Sequence, residues 1–149
     1  MLLLAGCGGA EEAPATSGTR RPSSASAEKS RTQALNDFTS ATASFGGRPS
    51  LLDRGERLNA CQIDATVFSR AVPDKADFRL VVSRLQKRGW KFPGPEGVKT
   101  AGKEVTTDLT SGGWRGFMGV GPLPEKVKAQ AAPYTGGISF SASRTCDPA

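Results

Sequence analysis

Three separate segments of this chain alternate apolar and polar side chains with period two, a spacing that only half-buried strands use. Between residues 58 and 71, Cys61, Ile63, Ala65 and Val67 share one parity and Gln62, Asp64 and Thr66 the other, broken only by Phe68. Val105, Thr107 and Leu109 alternate with Thr106, Asp108 and Thr110; after Ser111-Gly112-Gly113, the residues Trp114, Gly116, Met118 and Val120 continue on one parity. Glycine takes the positive φ that twisted hairpin turns require, so this pair reads as a β-hairpin. Ile138, Phe140 and Ala142 alternate with Ser139, Ser141 and Ser143 in a last strand that runs into Cys146.

Helical spacing fills the intervals. Pro73 stops the first strand, and Asp74 with Asp77 three residues on has the form of a capping box. Phe78, Val81, Val82 and Leu85 then form one apolar stripe, ended by Gly89 with Lys87 and Arg88 set favourably against the helix dipole. Residues 91–97 are turn-rich. Pro122 to Ala132 predicts a short helix, with Pro124 and Glu125 in its first turn and Val127 and Ala131 facing inward. Upstream, Ala34, Leu35, Phe38 and Ala41 sit at near-helical spacing, with Ser26 as N-cap and Gly46-Gly47 and Pro49 as terminators. That apolar face is thin and predicts weak docking. A weak N-terminal helix followed by β-α-β-β-α-β predicts an α+β, ferredoxin-like antiparallel sheet with both helices on one face.

The N-terminus carries a different kind of information. Leu4-Ala5-Gly6-Cys7, followed by Gly8-Gly9, resembles the lipobox of bacterial lipoproteins, in which small residues precede the cysteine that receives the lipid. The resemblance implies that Cys7 is acylated and that residues 1–6 are the end of a signal peptide whose charged and apolar portions precede Met1. Residues 7–27 then form a tether. They contain no large aliphatic or aromatic side chain, so they cannot bury enough apolar surface to offset the entropy of ordering. Residues 28–149 remain as one small domain. With Arg88-Gly89-Trp90 after a helix and a cysteine at each end of the domain, the chain is similar to small secreted lipoproteins of high-GC Gram-positive bacteria. That group implies display on the extracytoplasmic face of the cell membrane and carries no assigned activity.

Cys7, Cys61 and Cys146 are an odd count that resolves if Cys7 is acylated and the other two pair; the competing arrangement is two unpaired buried thiols. In a ferredoxin-like sheet the first and last strands are antiparallel neighbours, which sets Cys61 beside Cys146. Both share parity with their strands' apolar residues, so the bridge is expected on the core side. In the chain-entropy model it contributes about 4–5 kcal/mol.

The chain has no histidine, which removes Ser-His-Asp and Cys-His catalysis and conventional zinc sites. Asp64, Glu104 and Asp108 are the carboxylates able to meet on the polar sheet face, a position where such groups are ordinarily solvated. No enzymatic activity, cofactor or nucleic-acid partner is expected. Net charge is +6, which favours anionic surfaces and also serves solubility alone. Arg84, Lys87, Arg88 and Lys91 beside Trp90 form a candidate binding cluster for an anionic envelope polymer, lipid headgroups or a membrane protein. The alternative is a solvated helix face whose tryptophan packs under the sheet. The functional expectation is a non-catalytic, lipid-anchored binding domain; the alternative is an accessory sensor or inhibitor subunit tuning a membrane-bound partner. Labelling cells with a fatty-acid analogue should mark the wild-type chain and not Cys7→Ser. Equal labelling of both removes the lipobox assignment.

Overall fold

A computed structural model describes residues 28–46, 48–53 and 55–146. Cys7, the tether and the signal-peptide remnant lie outside the described residues. The elements, in chain order, are α1 (Arg31–Ala41), β1 (Ser50–Leu51), α2 (Glu56–Asn59), β2 (Gln62–Ser69), α3 (Lys75–Gln86), β3 (Lys99–Ala101), β4 (Glu104–Ser111), β5 (Trp114–Pro122), α4 (Glu125–Ala131) and β6 (Gly136–Ser143). The described residues form one six-stranded antiparallel sheet, ordered β1-β2-β6-β5-β4-β3.

The predicted alternation sets the sheet's two faces. Ile63, Ala65 and Val67, Ile138, Phe140 and Ala142, Met118 and Val120, and Val105 and Leu109 are all buried on the side that carries α1 and α3. The hairpin between β4 and β5 turns on Gly112 and Gly113, both at positive φ (52° and 92°), with Ser111 paired to Trp114. Two positive-φ residues match the right-handed twist of the flanking strands, and glycine reaches that region without a Cβ clash. Asp74 caps α3 as expected: its Oδ1 accepts the N–H groups of Ala76 and Asp77, and Asp77 Oδ2 accepts the N–H of Asp74.

The sheet is not ferredoxin-like. There, the first of the four strands would lie beside the third; here β6 stands between β2 and β5, so the first and last strands have exchanged places. The cause is the connection after β5. The seven residues of α4 bury no side chain, and Val127, expected to face inward, is exposed. A helix without an apolar face cannot cover a sheet. The chain therefore returns directly, and β6 pairs along the whole of β5 from Pro122↔Gly136 to Arg115↔Ser143. Both predicted helices are thus not on one face. Leu123 instead packs over Gly137, and Tyr134 lies beside Phe68, on the sheet face opposite α3.

The N-terminal helix takes the vacated role, and its predicted weak docking is wrong. Ala34, Phe38 and Ala41 are fully buried, with the Phe38 ring stacked on Phe140 at 4.9 Å. Its N-cap is Ser30, in a capping box with Gln33, rather than Ser26. Asp37 completes the inward stripe. Its Oδ2 accepts Lys29 Nζ at 2.6 Å and the Trp90 indole N–H at 3.0 Å, while an Arg88 guanidinium nitrogen lies 3.6 Å from Oδ1. Lys29 also donates to the Arg88 carbonyl, and its ammonium lies 4.8 Å from the centre of the Trp90 ring.

β2 and β6 pair antiparallel from Gln62↔Ser143 to Ser69↔Gly136, and Cys61 and Cys146 are disulfide-bonded with Cα atoms 5.7 Å apart. The bridge lies at the end of the strands and is not buried in the core. Cys61 is half-buried before β2 begins and Cys146 is exposed, three residues after β6 ends. Leu58, expected in the first strand, lies in α2 and is exposed. Asp53 turns the chain there, accepting the Gly55 N–H and the Asn59 side-chain amide. These bonds hold its carboxyl below the usual range. Asp37→Ala leaves Lys29 without its counter-ion and the Trp90 indole N–H without an acceptor beneath α1, and should lower unfolding stability by about 3 kcal/mol in urea titrations. A loss under about 1 kcal/mol contradicts the role given to this carboxylate.

Candidate functional site

The predicted basic cluster is divided by the fold. Trp90 is in the core at 2% exposure, edge-on to Phe140 at 5.4 Å, and belongs to no surface. Arg84 reaches across to α1, donating to the Ala41 carbonyl and the Ser44 hydroxyl, so it fastens two helices together. Lys87 is exposed beside Arg84 and Arg88 on a shallow surface. Arg88 lines both this surface and, with Lys91, a cleft at the end of the sheet where the β4–β5 hairpin turns.

That cleft measures about 480 Å³ and gathers Lys29, Arg88, Lys91 and Arg115 around Gly112 and Gly113. Its one acid is Glu28. Three elements build it. Lys29 is positioned by its backbone N–H, which donates to the Gly112 carbonyl, and by its carbonyl, which accepts the indole N–H of Trp114. Lys91 follows the positive-φ turn at Gly89 and bridges Thr110 through backbone bonds in both directions. Arg115 projects from the first outward position of β5, directly after buried Trp114. Asp37 neutralises Lys29 and part of Arg88 from behind, while Lys91 and Arg115 are exposed and make no ion pair among the described residues. Lys29 and Arg115 were not part of the sequence-derived cluster. The signal for Arg115 was present, since the residue after Trp114 must have opposite parity.

No described residue covers the centre of the sheet face opposite α1 and α3. Phe117 stands there at 47% exposure, between Ser141 of β6 and Asp108 of β4. Gly119, next outward on β5, leaves a depression beside the ring; a Cβ there would come within 2.7 Å of the Thr106 methyl. Asp64 accepts the Ser141 hydroxyl at 2.6 Å and the Gln62 amide at 3.1 Å. Asp64 and Asp108 are separated by three strand spacings, roughly 14 Å, and Glu104 is four residues along β4 from Asp108, roughly 13 Å. These carboxylates do not meet.

Among the described residues no group of three or more His, Cys, Asp or Glu side chains is placed to hold a metal, and no helix is long and apolar enough to cross a membrane. No protein-family model, curated protein or solved structure matches the chain. The aromatic positions make opposite demands on stability. Trp90→Ala should cost about 3–5 kcal/mol by cavity formation, whereas Phe117→Ser should stay within about 0.5 kcal/mol of wild type. Equal losses in thermal or urea unfolding would mean that Phe117 is a packing residue.

Proposed function

We propose that this protein is a lipid-anchored, non-catalytic binding domain on the extracytoplasmic face of a cell membrane, with the cation-lined cleft at the β4–β5 hairpin as its contact for anionic headgroups or envelope polymer. One observation carries the reading: the described chain enters the domain at the same cleft that gathers the four cations, since Glu28 and Lys29 are both among its walls. Whatever precedes residue 28 joins there. If Cys7 is acylated, only the twenty residues 8–27 separate the lipid from Glu28. A lipobox cysteine carries a diacylglycerol, whose two acyl chains suffice to anchor the chain, so the basic cleft would set the domain's orientation against anionic headgroups or polymer. The disulfide between Cys61 and Cys146 is in keeping with an oxidising compartment outside the cytoplasm.

A second reading has its own support. The uncovered sheet face presents Phe117 among hydroxyl and carboxylate side chains, a surface suited to a partner protein. An accessory sensor or inhibitor subunit, held at the membrane by its lipid and touching a membrane-bound protein through this face, fits that arrangement.

The first reading is tested with the unacylated Cys7→Ser chain on vesicles. Sedimentation should require anionic lipid and fall steeply with salt. Replacing Lys91 and Arg115 by Ala removes two cations worth about 1 kcal/mol each at a surface, so vesicle affinity should drop roughly 30-fold. Poly(glycerol phosphate) tests the polymer source in the same way. Binding that ignores lipid charge, or survives the double substitution, refutes the assignment of the cleft.

A further inference from the structure

A second cavity, sharing no residue with the cationic cleft, lies between α3 and the β3–β4 edge of the sheet and measures about 490 Å³. Small-molecule pockets span about 300–1,000 Å³. Its apolar walls are Phe78 and Val82 of α3, Phe92 and Val98 of the connecting segment, and Val105 of β4. Val82, Phe92 and Val98 are only half-buried, so the cavity leaves apolar surface open to solvent at the rim of the core.

The charged groups of this cavity have one sign. Lys75 and Arg79 line it from successive turns of α3, and among the described residues no acid is in its walls. Residues four apart on a helix share a face, so both cations stand over the same opening. Neither makes an ion pair among the described residues. The two acids of the same helical turn are engaged with backbone: Asp74 and Asp77 cap the helix and are not among the walls. On the opposite side lies Thr107, 3% exposed on the inward face of β4 between Val105 and Leu109. Its hydroxyl reaches the Asp108 carbonyl at 3.4 Å, long for an O–H donor, which leaves hydrogen-bonding capacity free in a buried wall.

From these we infer a binding site for an anionic amphiphile: an acyl or aryl body seated against Phe78, Val82, Phe92 and Val98, with a carboxylate or phosphate held by Lys75 and Arg79. Charge complementarity selects this class, since a neutral hydrocarbon uses neither cation and a cationic amphiphile is repelled by both. The inference does not depend on the membrane reading of the hairpin cleft.

Calorimetric titration of the disulfide-intact Cys7→Ser chain tests it, with decanoate, decyl phosphate, decanol and decyltrimethylammonium below their aggregation limits. Decanoate or decyl phosphate should bind saturably with one site, and decyltrimethylammonium should not. The Lys75→Ala/Arg79→Ala chain, altered only at exposed positions, should lose tenfold or more for the anions and keep its affinity for decanol. Val82→Trp should block all three, with circular dichroism reporting that the fold persists. Tighter binding of the phosphate assigns a phospholipid-like source, and tighter binding of the carboxylate a free fatty acid. Absence of saturable anion binding, or affinity unchanged by the double substitution, overturns the site.

Discussion

A carboxylate buried beneath a helix must be matched by donors, and the Asp37 cluster meets that demand with groups from two other segments of the chain. Lys29 comes from the entry segment, and Arg88 and Trp90 from the segment that follows α3. Removing the carboxylate leaves the Trp90 indole N–H stranded in a region of low dielectric. The same lysine holds the hairpin through Gly112 and accepts from Trp114, so the entry segment, both tryptophans and the β4–β5 turn are fixed together. Phe38 stacks on Phe140 where this network, with Arg84 and the buried face of α1, holds that helix over the sheet, and Lys29 and Arg88 of the network also line the cationic cleft.

The architecture has one heavily covered sheet face and one largely open. α1 and α3 pack against each other on the covered side, leaving only the flank near β3 incompletely filled. On the other side, serine, threonine and glycine dominate the central strands, and such short side chains let Phe117 protrude. The short β1 and β3 extend the two edges of this sheet. Brief, exposed edge strands limit unintended pairing with a second chain.

Local structure was legible in the sequence wherever a motif carried its own geometry. The Asp74–Asp77 capping box and the Gly112-Gly113 turn appear as read, and the strand parities hold through β2, β4, β5 and β6. Strand order was not legible, because period two says which face a side chain takes and nothing about which neighbour the strand finds. That choice turned on α4, whose Lys126, Lys128 and Gln130 leave too narrow an apolar side to cover a sheet. α1 was undervalued for a related reason: one of its inward positions, beside Ala34, Phe38 and Ala41, is Asp37, and an apolar count takes no account of a carboxylate. β3, three exposed residues long, gives no alternation to detect. Of the candidate site, Lys91 and Arg88 stayed together, while Trp90 turned inward to meet Asp37.

The Cys61–Cys146 bond closes a covalent ring that contains β2, α3 and all the later strands, and leaves α1 outside it. A pull delivered at residue 28 therefore does not load the ring first. It acts on Lys29 and the contacts of α1, which are non-covalent, while β2 and β6 stay locked side by side. The bond thus divides the molecule into an inner part whose two ends are covalently joined and an outer part, α1, β1 and α2, held by non-covalent contacts alone, among them the stacking of Phe38 on Phe140 and the bond from Trp90 to Asp37.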